Sequence, residues 1–150
     1  MEIQVQIINA FIDGENGGNP AGVVLDADAL SNQQKLKIAA KAGFSETAFV
    51  SSSTSADFKL DFFTPTRQIA HCGHATIATF NYLQQLGKIG KAATSKETID
   101  GNRKIFIDGD IAFMEQLAPN YIEVERRMDS ILFSLGIAAE DLLSNSYHLS

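Results

Sequence analysis

The chain has no tryptophan, one cysteine and three prolines among 150 residues. With Cys72 alone no internal disulfide can form, so the fold must rest on packing and hydrogen bonding, and a reducing, cytoplasmic setting is expected. There is no CxxC pair and no HExxH, which removes the usual signatures of a zinc site; no metal is expected. Cations are scarce too. Twelve Lys and Arg stand against 18 Asp and Glu, a net charge of -6, and none precedes Lys35. That balance argues against a nucleic-acid partner and reads most simply as a solvated acidic surface. No apolar run approaches the ~18 residues of a membrane-spanning helix. The opening MEIQVQIINAF has no basic region and alternates like a strand, so it does not read as a signal peptide.

What is present is an ordinary globular composition, 45% hydrophobic and 20% charged, long enough for one domain with a real core. Ile3, Val5 and Ile7 alternate with Gln4 and Gln6, the period of a half-buried strand. A glycine-rich loop from Asp13 to Pro20 and a short strand Gly22–Leu25 follow. Ser31 and Gln34 make a capping box and Gly43 a stop, so 32–42 is expected to be a helix packed through Leu36, Ala39, Ala40 and Ala42. Strands are expected at 44–50 and 58–63. Asp100-Gly101 and Asp108-Gly109 read as hairpin turns dividing 94–117 into three strands, with Ile105, Ile107, Ile111 and Phe113 inside. Val124–Leu135 is an amphipathic helix with Met128, Ile131, Leu132 and Leu135 on one stripe and Gly136 as its stop. A short turn near Glu140–Leu143 follows, and Tyr147–Ser150 shows no closing element.

The organising stretch is Phe62–Lys88. A strand, a Pro65 turn and a corner at Cys72-Gly73-His74 lead into a helix carrying Ala75, Ile77, Ala78, Phe80, Tyr82, Leu83 and Leu86. Its first turns have almost no charged face, which predicts a buried helix wrapped by the strands. Gly73 would permit a tight turn. The unpaired N–H groups just after it would form an anion site at the positive end of the helix dipole.

Glu46 is the first candidate for chemistry. On its strand it shares a face with Ala48 and Val50, and on the core side its carboxylate would be partly desolvated and its pKa raised, as a general acid/base needs. The plainer reading is a strand-entrance glutamate with its head in water. His74, at the helix start, could hydrogen-bond a substrate or pass a proton, or simply cap the helix. Cys72 could be an activated thiol or a small buried hydrophobe. Thr64, Thr66 and Thr76 read as turn and capping residues.

Four segments, Gly18-Asn-Pro-Ala-Gly-Val-Val-Leu25, Phe44-Ser-Glu-Thr-Ala-Phe-Val50, Phe63-Thr-Pro-Thr66 and Cys72-Gly-His-Ala-Thr76, stand in the order and spacing of the PhzF-like phenazine biosynthesis family, and the chain resembles it over at least residues 3–117. The resemblance implies an α+β fold of the diaminopimelate epimerase type: a mixed, curved, barrel-like sheet around a central helix, with residues 1–117 as the N-terminal domain and 118–150 as a crossover towards a second half. It implies a cofactor-independent isomerase moving a proton at carbon on a small carboxylate-bearing substrate. Glu46 and His74 would be catalytic, and Asn19, Cys72, Gly73, Ala75 and Thr76 would bind substrate. The family's second half supplies an acidic residue and a second glycine-rich helix start, and neither occurs here. Cys72 stands where the phenazine enzyme lacks a thiol, although relatives carry Cys-Gly-His. A cysteine-dependent racemase or epimerase using Cys72, or a non-catalytic half-domain, are therefore the alternatives.

One amphipathic helix and a short turn cannot form a second wrapped sheet, so an apolar face is expected to lack its cover. The chain is then expected to self-associate as a two-fold dimer that imitates the pairing of halves. Light scattering at low micromolar concentration should give a dimer mass; a clean monomer that melts cooperatively would refute the expectation.

Overall fold

A computed structural model describes residues 2–14 and 16–142. The segment 143–150, including the chain end and the last residue of the turn expected near Glu140, lies outside the described residues. The chain divides into two units, Met1–Gln116 and Leu117–Ser150.

The first unit is one mixed sheet curled around a helix. Its strands are β1 (Gln6–Asp13), β2 (Asn16–Val24), β3 (Thr47–Ser51), β4 (Phe58–Phe63), β5 (Gln68–Ile69), β6 (Ala93–Thr98), β7 (Gly101–Asp108) and β8 (Ile111–Met114). They are ordered β1-β2-β3-β4-β6-β7-β8, with β5 on β4. The β2–β3 and β4–β6 pairs are parallel and the others antiparallel. Helix α1 (Asn32–Ala42) packs near one face, and α2 (Gly73–Gln85) runs inside the curl.

Local chemistry sets the ends of α1. Ser31 and Gln34 form the full capping box, and Gly43 closes the helix at φ 75°. Its inward face differs from the expected one. Ala40 is exposed, whereas Lys35 is buried and its Nζ lies 2.6 Å from Asp61 of β4. Gln68 Nε2 donates to the other Asp61 oxygen at 3.3 Å. Charge pairing, which an apolar pattern cannot register, brings that lysine inside.

The core around α2 joins Ala75, Ala78, Phe80 and Leu83 to Ala48, Val50, Leu60, Phe62 and Ile105. Phe80 is fully buried and meets Phe58 edge to face at 5.8 Å. A second cluster on the other side of β3 and β4 holds Val24, Leu30, Ala39, Phe49 and Phe63, with Ile3 and Val5 packed against it. Leu86, expected within the apolar girdle, is 45% exposed.

Other expectations shift in register. Ile3 and Val5 precede β1, and Ile7 is exposed. Most of the glycine-rich loop is strand: β2 begins at Asn16, with Gly17 and Gly18 at φ 68° and 91°. Pro20 is tolerated there because β3 pairs only with Gly22–Val24. The hairpin turns fall at Ile99-Asp100 and Gly109-Asp110, one residue away from the expected pairs at each corner. Since strand faces alternate, the second turn decides which β8 residues point inward. Ile107 faces Ala112 and Ile105 faces Met114, so Ala112 and Met114 join the core while Ile111 and Phe113 are 59% and 52% exposed.

In the second unit the expected helix is a 3-10 turn, Glu125–Arg127, followed by α3, Met128–Leu135, closed by Gly136 at φ 67°. A further 3-10 turn spans Ala139–Asp141.

The packing of Phe80 gives a direct check. Phe80→Ala should lower unfolding stability by about 3–5 kcal/mol, from lost transfer energy plus a cavity. Urea unfolding would measure it, and a loss below about 1 kcal/mol would show that α2 is not the centre of the core.

Candidate active site

The site grows from the meeting of β2, β3 and the start of α2. Gly22 brings the strands together. A Cβ there would meet Thr47 Oγ1 at 2.8 Å, and the Gly22 N–H donates to the Glu46 carbonyl at 3.1 Å. Glycine is thus required for the close parallel approach that fixes Glu46 at the mouth of β3. Although Gly22 lies inside a recognisable motif, its sequence shows nothing of this contact.

From that position the Glu46 carboxylate reaches His74. Oε2 lies 3.4 Å from Nε2, with the two side chains 20% and 11% exposed. The approach is not yet a formed hydrogen bond, since Nε2 has no aligned partner. On the other edge of the ring, Nδ1 lies 3.4 Å from Cys72 Sγ. The imidazole therefore sits between a thiol and a carboxylate. With Nε2 protonated, it can accept the thiol proton at Nδ1 while giving its own to Glu46, and the reverse shift restores the start. One donor atom from each of the three residues falls within 4.8 Å of the others, a spacing a metal could use.

Gly73 acts differently from the expectation. It is the first residue of α2 and lacks the positive φ of the chain's turn glycines, so the corner needs no left-handed residue. A Cβ there would meet nothing within 4 Å, so the position faces open space and packing does not demand glycine. That space lies beside the amino end of α2, where backbone N–H groups lack intrahelical acceptors. Ala75 and Thr76 are fully buried. The Thr76 N–H is used on the Cys72 carbonyl at 3.3 Å, and its hydroxyl donates to the same oxygen at 2.6 Å. Asn19 is exposed on β2, opposite Ala10, and among the described residues makes no hydrogen bond to the trio.

Burial pushes the Cys72 thiol above its ordinary pKa. The Ala75 N–H opposes the shift, the Glu46 charge adds to it, and Lys96 opposes it. Lys96 itself escaped the sequence reading. Thr94, Lys96 and Thr98 all face inward on β6, while Ser95 and Glu97 face out. With polar residues on both faces, no alternation marks the inner one.

Half-barrels of this kind wrapped on a helix occur in epimerase-type folds. A predicted epimerase from Pseudomonas aeruginosa shares the fold at TM-score 0.72 with 16% identity, over 95% of this chain and 54% of that one. The chain belongs to the phenazine biosynthesis-like protein (PhzC-PhzF) family, which residues 8–129 match. The PhzF-family phenazine biosynthesis protein of Bacillus anthracis superposes at TM-score 0.80 with 35% identity, covering 95% of this chain and 50% of that one. Among curated proteins, the uncharacterized isomerase YfhB of Bacillus subtilis is 37% identical over 93% of this chain and 50% of its own length. The uncharacterized isomerase YddE of Escherichia coli is 33% identical over 95% of this chain and 50% of its own. The chain spans about half the length of the curated relatives it matches.

A raised pKa leaves Cys72 protonated at neutral pH, and the thiolate is the reactive form. Disulfide-exchange labelling of Cys72 in the folded chain should be several times slower than in the denatured chain, and should accelerate only in alkali. Equal rates in both states would show that the corner is open and the thiol unshifted.

Proposed function

We propose that the site transfers a proton at carbon on a small, carboxylate-bearing substrate, without a cofactor, as an isomerase of the PhzF type. The approach of Glu46 Oε2 to His74 Nε2 at the mouth of α2 carries the reading. Glu46, a carboxylate, removes the proton from carbon and returns it at a second position. The carbon's electron pair moves into the adjoining unsaturated or carboxylate system as the proton leaves, and the helix start beside Gly73 stabilises the developing negative charge. His74 binds the substrate or passes the proton. The open space next to Gly73 supports a ligand at this point.

A cysteine-based racemase or epimerase is the second reading, favoured by the 3.4 Å contact between Cys72 Sγ and His74 Nδ1. The protonated state of the buried thiol suits Glu46 better as the base. Self-association belongs to the proposal as well, with Phe106, Ile111 and Phe113 supplying an exposed apolar strip on β7 and β8.

The test is exchange of carbon-bound hydrogen for solvent deuterium, followed by NMR across a panel of small unsaturated and α-substituted carboxylates. Glu46→Gln should slow exchange by about 10²-fold or more, while Cys72→Ala leaves it near the native rate. Loss with Cys72→Ala and retention with Glu46→Gln would transfer the role to the thiol.

A further inference from the structure

Lys96 is a buried ammonium whose position has no structural explanation in pairing. Its side chain is fully buried, and among the described residues no carboxylate lies within ion-pair distance. In the β6–β7 register it stands directly opposite Arg103, another cation. Arg103 is satisfied by Asp100 at 2.7 Å, which leaves Lys96 with the like charge and without the carboxylate. Its Nζ lies 5.1 Å from the centre of the Phe62 ring, a favourable but partial compensation. Burying an amine this way is unfavourable, and an apolar residue would serve packing better.

Where the amine points suggests a purpose. Nζ donates to Thr76 Oγ1 at 2.7 Å, and that hydroxyl donates to the Cys72 carbonyl at 2.6 Å. Two hydrogen bonds thus run from the ammonium through Thr76, in the first turn of α2, to Cys72, the residue that caps the helix. We propose that Lys96 is a positioning residue of the site, a buried positive charge that reinforces the amino end of α2 and tightens its hold on the anionic group of the substrate. Its part in catalysis rests on the proton-transfer reading; its effect on anion binding does not.

The proposal has a pH sign. Desolvation lowers the Lys96 pKa to about 8, with Cys72 and Asp100 pulling it up and Arg103 pushing it down. His71, the other titratable group facing it, is held below its ordinary pKa by burial and then by Lys96 itself. On the far side of the Cys72 corner stand Glu46 and His74, 3.4 Å apart. The ammonium is therefore charged at neutral pH and loses its proton first as the solution becomes alkaline. Anion binding should weaken through that range.

Sulfate is a suitable probe because its charge is constant there. NMR of ¹³C-labelled lysine follows Lys96 as the lysine with the depressed midpoint, while the Gly73, His74 and Ala75 amides report sulfate at the helix start. Linkage is reciprocal, so bound sulfate should raise the Lys96 midpoint by about half a unit or more, and bind about threefold more weakly in alkali than at neutral pH. Sodium chloride at matched ionic strength is the control. Lys96→Met should weaken sulfate at neutral pH and remove the alkaline step, and Thr76→Val, which deletes the acceptor, should act in the same direction. Amides that respond to sulfate while the Lys96 midpoint stays fixed would overturn this inference and leave the proton-transfer reading intact. No amide response at all would remove the anion site on which both depend. A Lys96 midpoint in the range of exposed lysines would also overturn it, since the charge would not be a buried one.

Discussion

Everything else in the first unit depends on burying α2. The helix carries no Asp, Glu, Lys or Arg, and its apolar side must be covered by the sheet. Phe80 and Leu83 need Leu60, Phe62 and Ile105 around them, and a flat sheet could not supply all of these neighbours. The curl of the sheet is therefore the form that covers the helix. Small residues allow it to fit: Ala75, Ala78 and Thr79 let strands approach the helix closely. The hydroxyl of Thr79 is returned to the Ala75 carbonyl at 2.7 Å, so its burial leaves no unpaired donor.

That burial also creates the site. The amino end of the helix is where the Cys72 corner joins the mouth of β3 through the Glu46–His74 contact. The same desolvation that stabilises the core keeps the thiol protonated and depresses the lysine beneath it. Stability and chemistry are thus tied to one set of contacts: a change that loosens the helix would let water in and relax both shifts.

Much of this was legible in the sequence. Ser31, Gln34 and Gly43 fixed α1 because capping is local chemistry written in adjacent residues. Phe58, Leu60 and Phe62 fixed the inner face of β4 by simple alternation. The corner at Cys72-Gly73-His74 and the strand entrance at Glu46 were visible by resemblance, although their meeting at 3.4 Å required the tertiary fold. What escaped involved partners far apart in the chain. Lys35 goes inside because of Asp61, and Lys96 reaches Thr76 from a strand whose two faces are both polar. Ile111 and Phe113 go outside because a two-residue turn shifts their strand by one position. In each case the amino-acid type suggested one side and a distant contact or a corner geometry imposed the other.

The enclosure of α2 has a consequence for how the chain acquires its fold. The helix packs on β1, β2 and β3, which precede it in sequence, and on β8, which follows it after two more strands. During synthesis from the amino end, α2 is made while one side of its cage does not yet exist. Until β8 arrives, an uncharged helix with Phe80 on its surface stands open to other chains, and only long-range pairing closes it. The order of strands around the helix thus leaves the β7–β8 hairpin, with Ala112 and Met114, as the last part of that cage to be synthesised.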